Sequence, residues 1–109
     1  MNLKIISLNS FSKDVKKLYK KYKKISTDLE SLKKILLKDP KAGIQIGHNC
    51  YKIRLQNLSI PTGKSGGFRI IYYFIDTQKN LFLLSMYSKS ELDNITDTKI
   101  IEILKNNGL

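Results

Sequence analysis

Hydrophobic and polar positions recur with two different periods along this chain. Phe11, Val15, Leu18, Tyr19 and Tyr22 fall at helical spacing, with lysines filling most of the gaps. The pattern predicts an amphipathic, very basic helix capped by Ser10 or Ser12. The period restarts near Ser26. Thr27-Asp28-Leu29-Glu30 reads as a capping box, Leu29, Leu32, Ile35 and Leu36 give a second apolar stripe, and Asp39-Pro40 ends it. The two helices predict a helical hairpin packed on a sheet.

The remaining pattern is that of strands. Residues 1–8 (MNLKIISL) form a short apolar run. Residues 42–49 read as a loop. Residues 50–55 alternate, with Tyr51, Ile53 and Leu55 on one face and Lys52 and Arg54 on the other, which marks a half-buried strand. A turn-rich stretch (SIPTGKSGG) precedes residues 68–75 (FRIIYYFI), apolar on both parities except for Arg69. That run predicts a strand covered on both sides, and residues 81–87 (LFLLSMY) its antiparallel partner after the DTQKN turn. Thr96 would cap a short C-terminal helix carrying Ile100, Ile101, Ile103 and Leu104. The predicted order is β-α-α-β-β-β-α within one domain, residues 1–109, of the α/β (α+β) class.

Composition changes this picture in one respect. Hydrophobic residues are 41% and charged residues 27%, near globular averages, but 20 Lys+Arg face 9 Asp+Glu, a net charge of +11. Such an excess points to a polyanionic partner. Residues 1–41 carry +8 of it. Only two of the basic residues are arginines, Arg54 and Arg69. The single cysteine, Cys50, excludes an internal disulfide and a cysteine-based zinc site, and reads as a small buried hydrophobe. No apolar run approaches the ~18 residues of a membrane span, and no signal peptide is visible, so the expectation is a soluble cytoplasmic protein without membrane association.

The chemistry on offer is cationic. His48 is the only histidine and has no metal-ligand neighbours, so no metal is expected. The acids lack the pairing needed for glycoside chemistry. Gly63-Lys64-Ser65 lacks the upstream glycine and following helix of a P-loop. What remains is a basic set: Lys52 and Arg54 on one strand face, Lys64 in the glycine turn, Arg69 in an apolar strand, and Lys89 just after Tyr87. A charge within an apolar strand is costly unless paired or wet. Arg69 therefore either forms an ion pair, for instance with Glu91 or Asp93, or opens with Arg54 onto an anion site, where planar guanidinium groups bind phosphate bidentately. Tyr87 either stacks on a base or caps the core.

Three segments taken together resemble the RelE/HigB superfamily of bacterial type II toxins. They are residues 51–55 (YKIRL), 63–74 (GKSGGFRIIYYF) and 83–93 (LLSMYSKSELD). The likeness is greatest to the HigB-like branch with its Gly-Lys-x-Gly-Gly-x-Arg turn. It extends over roughly residues 50–95 and is architectural over the first 45. It implies a RelE-like, microbial-ribonuclease-type fold with an antiparallel sheet, an N-terminal helical hairpin on one face and a short C-terminal helix. It implies an mRNA endoribonuclease acting in the ribosomal A site by 2′-OH attack, without metal or other cofactor. It implies a cognate antitoxin, of helix-turn-helix type and encoded adjacently, with the ribosome and mRNA as further partners. Carried onto this sequence, Arg54, Lys64, Arg69 and Lys89 take catalytic roles, and Lys52 and Tyr87 bind RNA. Either Lys52 or Lys64, its pKa lowered by neighbouring arginines, would serve as the base. This chain has only Lys89 as a basic residue in 86–91 and no aromatic after Tyr87. Two other readings fit the composition: a ParE-like inhibitor of DNA gyrase on the same fold, and an inactive RNA- or ribosome-binding module.

Overall fold

A computed structural model describes residues 3–61 and 66–109. Its elements are β1 (Lys4–Ser7), α1 (Asn9–Tyr19), α2 (Ile25–Lys38), β2 (Ile44–Gly47), β3 (Cys50–Leu55), β4 (Phe68–Phe74), β5 (Asn80–Ser88) and α3 (Asp97–Asn106). The five strands form one sheet in the order β1-β5-β4-β3-β2. All neighbours are antiparallel except β1, which lies parallel to β5. That parallel pair is reached through the α1-α2 hairpin and the three strands that follow it, consistent with the long crossover parallel strands require.

Strand alternation sorts the side chains onto two faces. Tyr51, Ile53 and Leu55 of β3, with Phe68, Ile70, Tyr72 and Phe74 of β4, pack against Phe11, Leu18, Tyr22, Ile25, Leu32 and Leu36 from the helical hairpin. Tyr51 and Tyr72, cross-strand partners, stack with ring centroids 5.1 Å apart. On the other face Cys50, Ile71, Tyr73, Leu84 and Tyr87 meet Ile100, Ile103 and Leu104 of α3. The two covers are unequal: one face lies under two helices and the other under a single ten-residue helix.

The expected α+β class, hairpin and C-terminal helix are present. Thr96 caps α3 as expected, its side chain accepting the Lys99 N–H. Four local expectations need correction. Residues 42–49 are not all loop: Ile44–Gly47 form β2, joined to β3 by a two-residue turn at His48 and Asn49 with φ of 56° and 60°. Both torsions lie in the left-handed region of a type I′ hairpin turn. Neither Ser10 nor Ser12 caps α1. Leu8 stands at the cap position, and the Ser10 hydroxyl donates instead to the Leu84 carbonyl of β5. The capping box is not formed either: α2 begins at Ile25, whose burial favours the earlier start, and Asp28 turns inward to accept the Leu58 N–H. Tyr19, read as part of the apolar stripe, is 50% exposed, with Lys23 Nζ 4.6 Å above its ring.

Candidate active face

Register brings the two arginines together. Arg54 of β3 pairs with Arg69 of β4, and Arg69 pairs with Tyr87 of β5. Directly opposed residues on neighbouring antiparallel strands project from the same face, with Cβ atoms about 4.5–5.5 Å apart. The result is a row, Arg54-Arg69-Tyr87, across three strands on the face away from the helical hairpin. Like charges set side by side weaken a sheet. The two guanidinium groups, set in register, concentrate positive charge on this part of the face.

The start of β4 is fixed by Gly67. A Cβ there would collide with the Leu55 carbonyl oxygen, so only glycine allows β4 to approach β3 this closely. The Gly67 carbonyl also accepts the Lys89 N–H at 3.0 Å. One glycine thus ties the ends of β3, β4 and β5 together and sets where Arg69 enters the sheet.

The side chains differ in exposure. Arg54 is exposed, whereas Arg69 is 6% exposed, with Nη1 donating to the Phe68 carbonyl at 3.3 Å. Tyr87 is also buried, its ring within the α3-side core. Its hydroxyl donates to Asn94 Oδ1 at 3.4 Å, and Lys52 Nζ reaches the same oxygen at 3.4 Å. Asn94 therefore bridges the lysine and the phenol while also accepting the Ile95 N–H. Burial raises the Tyr87 phenol above its ordinary pKa, and the positive charge of Arg69 pulls it back.

The basic residues read from sequence are thus partly gathered. Lys52, Arg54, Arg69 and Tyr87 share one region, and Asn94 joins them without any local sequence signal. Lys89 stands at its margin, where Nζ is 3.2 Å from Asp93 Oδ1. Lys64 lies outside the described residues. Glu91 and Asp93, the carboxylates considered for Arg69, meet Lys21 and Lys89 respectively. The expected stacking surface of Tyr87 is turned into the core, leaving its hydroxyl edge toward the site. His48 is exposed at the β2-β3 turn, at the other end of β3 from Arg54. Among the described residues, no three His, Cys, Asp or Glu side chains are grouped to hold a metal ion. None of the described helices is long and apolar enough to cross a membrane.

The architecture is that of known structures, although no family model matches the sequence. A double arginine-to-alanine mutant of the E. coli toxin RelE in the free state superposes with a TM-score of 0.59 at 24% identity, covering 97% of this chain and 98% of that one. The isolated E. coli RelE toxin gives 0.59 at 18% identity over 94% and 97%. The same mutant toxin bound to a peptide of the antitoxin RelB gives 0.55 at 18% identity over 94% and 93%. This chain has a RelE-like fold over nearly its whole length.

Proposed function

We propose that this chain is the toxin of a type II toxin-antitoxin system, an endoribonuclease that cuts mRNA in the ribosomal A site. The observation that carries the reading is the Arg54-Arg69 pair, two like charges held in register on a sheet face of RelE-like architecture. In the reaction the ribose 2′-OH loses its proton and attacks the adjacent phosphorus. The bond to the 5′-oxygen breaks, that oxygen takes up a proton, and the products are a 2′,3′-cyclic phosphate and a free 5′-OH.

The roles divide among the arginines, the lysines and Tyr87. Arg69, held by the strand, and Arg54 bind the non-bridging phosphate oxygens and stabilise the charge that grows on them. Because the nucleophile is intramolecular, positioning and electrostatics supply most of the rate. Lys52, turned toward Asn94, contacts the ribose-phosphate chain. Lys64 or Lys52 is the base, and Lys89, once released from Asp93, is a candidate proton donor to the leaving oxygen. Tyr87 supports Arg69 and offers its hydroxyl edge to the RNA. No step draws on a metal or cofactor. The partners are the ribosome, mRNA and an adjacently encoded helix-turn-helix antitoxin. The similar toxin seen with an antitoxin peptide supports the last of these. The site of action would be the cytoplasm.

The test is primer extension on mRNA incubated with purified protein, with and without programmed ribosomes. Cuts in the A-site codon only with ribosomes support the reading. Loss of gyrase supercoiling without RNA cleavage would replace it with a gyrase inhibitor, and cuts in bare RNA would make the chain a free ribonuclease.

A further inference from the structure

The row Arg54-Arg69-Tyr87 reaches β5, the strand next to the edge strand β1. Adjacent strands lie ~4.8 Å apart, so the row spans about 10 Å and ends on β5 at Tyr87. On the side away from β4, β5 is paired by β1 only over residues 80–83. Helix α1 covers the remainder of that edge, where Asp14 Oδ2 accepts the Ser85 hydroxyl at 2.9 Å and the Met86 N–H at 3.0 Å. Between α1 and α3 runs a cleft made of two adjoining cavities of about 370 and 380 Å³. Both are lined by Asp14, Ser85 and Lys99, and the first is also lined by Tyr87.

The cleft walls are cationic. Lys13 and Lys17 come from α1 and Lys99 from α3. Among the described residues Lys13 and Lys17 make no ion pair, and Lys99 has only a long 3.9 Å contact with Glu102. The two carboxylates in the cleft are already committed, Asp14 to the β5 edge and Glu91 to Lys21. Asp14 keeps its negative charge, since its donors are neutral, and Glu91 is paired with Lys21, so the three lysines still leave the cleft net positive, which suits a chain of phosphates.

We infer that this cleft is a phosphate track for the substrate RNA. It takes the single strand past Tyr87, over the β5 edge, with Lys13, Lys17 and Lys99 on successive phosphates. The inference rests on the ribonuclease reading for the identity of the strand. It adds a binding segment remote from the reacting phosphate, formed by helices rather than by the sheet.

The test uses an uncleavable probe, a fluorescent single-stranded RNA with 2′-O-methyl groups, titrated at several salt concentrations. The variant Lys13→Gln/Lys17→Gln/Lys99→Gln is compared with the charge-matched control Lys33→Gln/Lys34→Gln/Lys38→Gln, whose lysines are exposed on α2. Each phosphate contact on a single strand contributes about 0.7 to the slope of log affinity against log salt. The cleft variant is expected to lower that slope by about 2 and to weaken low-salt binding about tenfold or more, with the control at the wild-type slope. Equal losses in the two variants would reduce the effect to net charge and overturn the track, as would an unchanged slope in the cleft variant. Because the probe cannot react, a wild-type protein that binds it yet never cuts message would defeat the nuclease reading while the slope still judges the cleft.

Discussion

Arg69 stands in a strand whose seven residues are all buried. A guanidinium there is costly unless hydrogen-bonded or paired, and Arg69 Nη1 donates to the Phe68 carbonyl. Arginine and lysine are not equivalent at a bidentate phosphate site. Arg69→Lys is therefore expected to fold, by circular dichroism, and to lose about 10²–10³-fold in cleavage rate. Asp28 carries a different signature. Its burial raises the carboxyl pKa, more than the Leu58 N–H and Lys24 lower it. A raised folded-state pKa means that the stability contributed by the neutral acid is present below the unfolded value of ~3.9 and is lost as pH rises through the folded value. Asp28→Asn, which keeps an acceptor for the Leu58 N–H, should stabilise the protein at pH 7 and lose that advantage near pH 4, as read by thermal denaturation. Cys50 is 1% exposed and its thiol is pushed up to about 11 by burial. It should resist alkylation in the native state at pH 8 and react only on unfolding.

At the scale of elements, the sequence makes legible what local periodicity decides. Strands β3, β4 and β5 are visible in it because alternation and short unbroken apolar runs between turn residues are the marks of half-buried and fully buried strands. Thr96 announces α3 because its capping bond is local. Thr96→Ala should lower stability by about 1 kcal/mol, measured by denaturant unfolding. Tertiary partners decide the rest. Ser10 has the chemistry of a cap, but β5 lies near enough to take its hydroxyl. Asp28 has the spacing of a capping box, but the segment after β3 offers it the Leu58 N–H. Strand β2 escapes the pattern because Ile44-Gln45-Ile46 is short and a strand only by virtue of pairing with β3. Asn94 is invisible for the same reason: nothing near it in sequence shows that Lys52 and Tyr87 converge on its side chain.

Across the whole molecule the fold separates two tasks. The helical hairpin covers the larger core, and the opposite face carries a smaller core under α3 with the arginine pair beside it. Most of the net charge lies in the first 41 residues, and Lys13 and Lys17 bring part of it to the rim of the cleft that continues the row Arg54-Arg69-Tyr87. The central claim is that Arg54 and Arg69 act as one phosphate-binding unit on this face. The most direct measurement is a double-mutant cycle of single-turnover cleavage on programmed ribosomes, with Arg54→Ala, Arg69→Ala and both together. The account predicts large losses in each single variant and a double variant much less impaired than the product of the two, because groups acting on one transition state are not additive. Wild-type cleavage in well-folded Arg69→Ala, or strictly multiplicative losses, would contradict it.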